Sequence, residues 1–319
     1  MISVNKGAYK VISEIIEDKE RLQVDVIKVG DSTVIDMGVK AKGGYEAGLK
    51  MSQACLGGYA SVAFDSINFG DIIMPALTVS TNQPSIACLG SQFAGWRINR
   101  KQEKFFGMGS GPARSLAIKE KELFELICYE DISNIAVIIL ETNKIPNEQV
   151  LSYIANSCGI DPKNTYALVA KTSSIAGTVQ IAARIVETGI HKIHELGYDP
   201  KKILYGYGTT PIAPIGKDDT KSMGMTNDAI IACGSVFLNI KSSEDDNIER
   251  LIEKVPSSTS KDYGTPFYQI FKEANWDFYE IDPHLFAPAV ITINDLRTGK
   301  TYQRGKLDFE LLKRSFGIK

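Results

Sequence analysis

What the chain is short of narrows its class first. It has no run of ~18 apolar residues, so no membrane span is expected. Its start, Met1-Ile2-Ser3-Val4-Asn5-Lys6, lacks the charged-then-apolar build of a secretory leader, and the expectation is a cytoplasmic protein. The five cysteines, Cys55, Cys88, Cys128, Cys158 and Cys233, form no Cys-x-x-Cys pair. Set mostly among apolar or small neighbours, they read as reduced core residues. Histidines number three, so a Cys–His nucleophile or a metal site has little to draw on. His191 and His194 have a chelating spacing on one helix, but His284 lies in a separate segment and no third ligand is evident. Structural or solvated histidines are favoured over zinc, and no metal is expected. Net charge is −2, which recruits neither nucleic acid nor an acidic membrane. An anionic ligand must therefore be held by a local cluster of Lys and Arg.

What is present is ordinary globular material: 44% hydrophobic and 23% charged residues over 319 positions, enough for two domains or one large one. Residues 6–20 pattern as a helix. Residues 23–28 and 33–39 pattern as a hairpin around Gly30-Asp31-Ser32. A helix over 45–56 follows Gly43-Gly44, then strands over 60–64 and 72–79, and a short apolar run over 85–89. Residues 134–141, ending in Glu141, form the clearest buried strand. A helix over 147–158, a strand over 166–170 and, after a loop over 171–177, a long helix to Gly197 complete a βαβα series, which argues for α/β architecture. The expected division is one α/β domain over 1–120 and a second over 121–319, with segments free to interleave. After Leu204 a long polar loop is expected through Met225. Residues 257–260 suggest a linker, 289–294 and 300–303 a hairpin around Arg297-Thr298-Gly299, and 307–316 a last helix.

The stretch 171–197 draws the most attention. Val179, Ala182, Val186, Ile190 and Ile193 make one apolar stripe at helical spacing. Arg184, Glu187, His191 and His194 fall within an arc of roughly 80° on the other face. Two readings stand: a solvated ion pair on an outer face, or a site. The small polar loop over 171–177 favours the second. It carries Lys171 and Ser173, joins a buried strand to a helix start, and leaves backbone N–H groups for an anion. Sites in open α/β sheets gather outside the carboxyl ends of strands, where this loop would lie.

Two Gly-x-Gly-x-x-Pro motifs add candidates. The first, Gly107-Met108-Gly109-Ser110-Gly111-Pro112-Ala113-Arg114, is neither a phosphate-binding loop with Gly-Lys-Ser/Thr nor a dinucleotide fingerprint. It reads as a tight turn, or as a small-residue wall of Gly109, Ser110 and Gly111 with Arg114 at hand for an anion. The second runs Gly206-Tyr207-Gly208-Thr209-Thr210-Pro211 and hints at two similar halves. Arg97, Arg100 and Lys101 form a basic patch beside Trp96.

Taken together, Gly109-Ser110-Gly111-Pro112-Ala113-Arg114, the segment from Ser174 to Glu187, and Tyr205-Gly206-Tyr207-Gly208-Thr209-Thr210-Pro211-Ile212-Ala213-Pro214 resemble the methenyltetrahydromethanopterin cyclohydrolase family. The resemblance runs from end to end. It implies two α/β domains with a ligand cleft between them, a homotrimer, and neither metal nor nucleotide cofactor. It also implies an archaeal-type one-carbon enzyme that hydrolyses a methenyl-pterin cation to a formyl-pterin, with Glu187 and Arg184 as catalytic residues. The chemistry agrees: the carbon between two nitrogens of the cation is already electrophilic, and needs a positioned water and a base. An arginine one turn from Glu187 favours its charged form. For binding, the chemistry suggests Arg97, Arg114, Lys171, Ser173, Gly109, Ser110, Gly111, Tyr207 and Thr209. Arg97, Arg100, Lys101 and Arg114 suit the anionic tail, and Trp96, Phe93, Tyr205 or Tyr207 suit stacking on the pterin. The alternatives are an unrelated α/β enzyme acting on a phosphorylated metabolite, and a non-catalytic pterin-binding module.

Overall fold

A computed structural model describes residues 2–69, 72–276 and 280–318. The chain forms two compact α/β units, Met1–Ser61 with Ile86–Gln180, and Val62–Ser85 with Ile181–Lys319. The expected boundary at 120/121 falls inside the first unit, and the segments interleave. No helix among the described residues is long and apolar enough to cross a membrane.

The strands are β1 (Asp25–Val29), β2 (Ser32–Gly38), β3 (Ser61–Phe69), β4 (Ile72–Thr81), β5 (Trp96–Arg100), β6 (Phe105–Ser110), β7 (Ala136–Glu141), β8 (Thr165–Ala170), β9 (Ile203–Pro211), β10 (Ser235–Ile240), β11 (Val290–Asp295) and β12 (Thr301–Gly305). The helices are α1 (Val4–Glu17), α2 (Lys19–Leu22), α3 (Tyr45–Cys55), α4 (Arg114–Ala117), α5 (Lys121–Ile127), α6 (Glu148–Cys158), α7 (Ile175–Ala182), α8 (Ile185–Glu195), α9 (Asp219–Cys233), α10 (Ile248–Ile252), α11 (Phe267–Glu273) and α12 (Phe309–Phe316).

In the first unit the sheet order is β1-β2-β8-β7-β6-β5, and β2, β8 and β7 run parallel. These three strands are mostly apolar in their middles because both faces are covered. Ile35, Val137, Ile139 and Leu168 pack with Ile12 of α1 and Met51 of α3 on one side. Val34, Ile138, Leu140 and Val169 pack with Val150 and Ile154 of α6 on the other. The loop leaving β2 is fixed by Asp36, whose buried carboxylate accepts from the backbone N–H groups of Gly38, Val39, Lys40 and Ala41.

The sheet of the second unit has the order β12-β11-β10-β9-β4-β3. It is mostly antiparallel, with β10 and β11 parallel. One face carries α8, and the strands alternate accordingly: Val236, Leu238 and Ile240 are buried, while Phe237 of the same strand is partly exposed.

Several expectations change. Residues 85–89 extend into a π-helical stretch, Ser85–Gln92. The polar loop after Leu204 is much shorter, because β9 continues to Pro211 and Met223-Gly224-Met225 lies inside α9. Residues 257–260 are no linker. Ser257 is buried with its hydroxyl on the Ile231 carbonyl at 2.6 Å, and the Ser260 hydroxyl donates to Asp282 at 2.7 Å.

Candidate active site

The long helix expected between the 171–177 loop and Gly197 is two helices. α7 ends at Ala182, and α8 begins at Ile185 with Arg184 as its N-cap at φ −79°, ψ 0°. The Arg184 N–H turns back to the Ile181 carbonyl at 3.0 Å, while the Arg184 carbonyl accepts from the Thr188 N–H at 2.8 Å and its hydroxyl at 2.9 Å. The hydrogen-bond ladder is thus reset at Arg184. As a result Glu187 stands in the first turn of a new helix, where free N–H groups and the helix dipole favour a carboxylate. Glu187 is only 6% exposed, which a solvated outer face does not explain.

α8 is seated by the second Gly-x-Gly motif. These residues are strand β9, not an anion-binding loop. A Cβ on Gly206 would stand 2.7 Å from Val186 Cγ1, and one on Gly208 would stand 3.1 Å from Ile185 Cγ1. The glycines therefore let α8 lie close on the strand. Strand alternation then puts Tyr207 and Thr209 on the opposite face of the sheet from α8. Tyr207 is 49% exposed, and the Thr209 and Thr78 hydroxyls lie 3.3 Å apart. Neither is brought to Glu187. Gly206→Ala should cost about 1–3 kcal/mol by overpacking and lower turnover by shifting α8. Urea unfolding and kcat at one temperature check this; wild-type values for both would contradict the seating role.

The far half of α8 is pinned by Lys192. It is 2% exposed, and its Nζ lies 2.9 Å from His284 Nδ1 and donates to the His284 carbonyl at 3.0 Å. Burial pushes this ammonium down to about 8. His191 faces Glu195 at 3.7 Å. Among the described residues no group of three His, Cys, Asp or Glu could hold a metal ion.

The other candidates lie in the first unit. Arg114 is fully buried. Its Nε donates to Glu120 at 2.9 Å and its Nη1 donates to the carbonyls of Leu89 and Ser91 at 3.0 and 3.1 Å. Its guanidinium also lies over the rings of Phe93 and Phe124. It thus ties the end of the π-helical stretch to Glu120, and the expectation of an accessible anion ligand is corrected. Gly109 and Ser110 belong to β6, and Ser110 lies against Cys55 with 3.5 Å between Oγ and Sγ. Gly111 has φ +92° and donates its N–H to the Ser91 carbonyl at 2.8 Å. Trp96 is 3% exposed in the core, so it offers no stacking surface. Arg97 is exposed beside the Phe106 ring, whereas Arg100 is paired with Glu103 at 3.0 Å.

Strand register sorts these residues into two ends. Ala113 donates to the carbonyl of Val137, near the amino end of β7. Glu141, the last residue of β7, pairs with Ala170, the last residue of β8. Residues 171–174 follow directly, so this loop lies at the carboxyl ends of parallel strands. It is stiff: the Ser174 hydroxyl donates to the Lys171 carbonyl at 2.7 Å and accepts the Gly177 N–H at 3.0 Å. Lys171 and Ser173 are half-buried on it. The Thr172 hydroxyl donates to Glu141. Glu141 is not among the sequence candidates, although a carboxylate closing so apolar a strand is visible in the sequence.

Comparison with known proteins follows the same length of chain. Residues 3–316 match the family described as Cyclohydrolase (MCH). Proteins of Methanococcoides burtonii and Methanosarcina barkeri, both named methenyltetrahydromethanopterin cyclohydrolase, are 47% and 48% identical to it over 321 residues, covering 100% of this chain and 99% of their own. A protein of Methanocaldococcus jannaschii with the same name is 47% identical, covering 99% of both chains.

Proposed function

The chain belongs to the cyclohydrolase (MCH) family, and from that premise we propose that it hydrolyses 5,10-methenyl-tetrahydromethanopterin to the N5-formyl pterin. Water attacks the methenyl carbon as Glu187 takes one of its protons. The hydroxylated adduct then loses its C–N10 bond, the hydroxyl becomes the formyl C=O, and N10 gains a proton. One water is consumed and one proton released overall. No Lewis acid is required, because the amidinium carbon is electrophilic from the start. Arg184, at the cap of the same helix, holds Glu187 ionised and offers donors to the oxygen that develops charge.

The observation that carries this reading is the reset of the helix at Arg184, with a buried Glu187 in the first turn that follows. Lys171, Ser173, Gly109 and Arg97 are proposed as substrate ligands, Arg97 toward the anionic tail. Ser110, Gly111, Arg114, Tyr207 and Thr209 serve the framework in this reading. A homotrimer belongs to the same proposal and rests on the family resemblance alone, and a cytoplasmic setting is proposed with it.

Turnover in ¹⁸O-labelled water tests the reaction. Each formyl product should carry one labelled oxygen, seen as a mass increase of about two units. Failure to turn over the methenyl pterin, together with thermal stabilisation by sugar phosphates or nucleotides, would favour an enzyme of phosphorylated metabolites instead.

A further inference from the structure

One carboxylate is conspicuous outside the Arg184–Glu187 pair. Glu141 is half-buried at the carboxyl end of β7. Its Oε1 accepts from the Thr172 hydroxyl, and Thr172 is itself only 4% exposed. No Lys or Arg pairs with Glu141 among the described residues, and Oε2 is not among the buried atoms lacking a partner, so it opens to solvent. Thr172 thus orients the carboxylate through one oxygen and leaves the other able to accept a further hydrogen bond. The stiff loop that holds it also carries Lys171 and Ser173.

Resting on the proposed function, we propose that Glu141 is the specificity residue that receives the amino-pyrimidinone edge of the pterin. That edge presents two adjacent donors, the ring N3–H and the 2-amino group. A carboxylate accepts both side by side, and the lone pair that Oε1 gives to Thr172 leaves others free. Thr172 fixes the rotation of the carboxylate before substrate arrives, so less ordering remains to be done on binding. The negative charge also complements the cationic substrate.

Glu141→Gln separates this role from a structural one, because the Gln carbonyl still accepts from Thr172 while its amide NH₂ opposes a pterin donor. KM should rise by about 10–10²-fold, the loss expected for hydrogen bonds to a charged group, with kcat within about threefold of wild type. A second readout is the preference, as competitive inhibitor, of tetrahydropterin over its 2,4-dioxo counterpart, which lacks the amino group. Wild type should prefer the amino compound by more than about tenfold, and Glu141→Gln should bring the two within about threefold. Unchanged KM and unchanged preference in a folded Glu141→Gln protein would overturn the assignment. If Glu187→Gln still lowers kcat by about 10²-fold or more in that case, the failure belongs to Glu141 and not to the reaction. A wild type that does not turn over the methenyl pterin would fail the reaction itself.

Discussion

Glu187→Gln should lower kcat by about 10²–10⁴-fold, the usual loss on removing a general base, or roughly 3–5 kcal/mol of barrier. The substitution preserves the volume of the side chain and a hydrogen-bonding head, and removes only the capacity to take a proton. KM should change far less than kcat, because the pterin and its tail are held by other groups. Position strengthens the expectation. In the first turn of α8, Glu187 sits where the helix dipole favours an anion, so the neutral amide loses that favourable interaction as well. A surface pair would behave differently, costing under about 1 kcal/mol of stability and leaving turnover alone. Steady-state kinetics on a preparation whose unfolding transition matches wild type distinguishes the two.

Arg184→Leu should cost a similar amount, on the order of 10²–10³-fold in kcat, as for loss of a donor to a developing oxyanion. The apolar replacement keeps much of the packing of the side chain but removes both its charge and its donors. The double variant should fall well short of the product of the two single effects, because a cation that serves a carboxylate has nothing to serve once the carboxylate is gone. Multiplicative losses would mean that the two residues act separately. Coupling is the expected outcome in this proposal, since Arg184 stands at the N-cap of the helix that carries Glu187 in its first turn.

Much of the frame is legible in the residues alone. The run over 135–140 is apolar at inward and outward positions alike because β7 is covered on both faces, and its shortness marks it as a buried strand. The stripe of Val179, Ala182, Val186, Ile190 and Ile193 is buried throughout. The break between α7 and α8 is a different matter. Ala182 and Ala183 are strong helix formers, and no Gly or Pro marks the site. Just past the interruption, Ile185 and Val186 settle on Gly208 and Gly206, residues distant in the chain. Local propensity carries no trace of such a contact.

The glycine motifs are open to more than one reading for a related reason. A Gly-x-Gly spelling is shared by loops that cradle anions and by strands that admit a helix at short range, and only the third dimension separates them. Arg114 is similar. An arginine after a Gly-rich segment suits a phosphate, yet here its guanidinium is consumed by Glu120 and by the carbonyls of Leu89 and Ser91. Those carbonyls end a π-helical stretch that sequence periodicity does not announce. Glu141 shows the reverse case, a residue whose place was readable but whose open oxygen emerges only from the hydrogen bonds around it.

The most direct test mixes purified chain with 5,10-methenyl-tetrahydromethanopterin and follows the methenyl absorbance, wild type beside Glu187→Gln at equal concentration. The account predicts rapid loss of the chromophore with wild type and a rate at least about 10²-fold slower with the variant. Equal rates for the two proteins, or no loss with wild type, would contradict it.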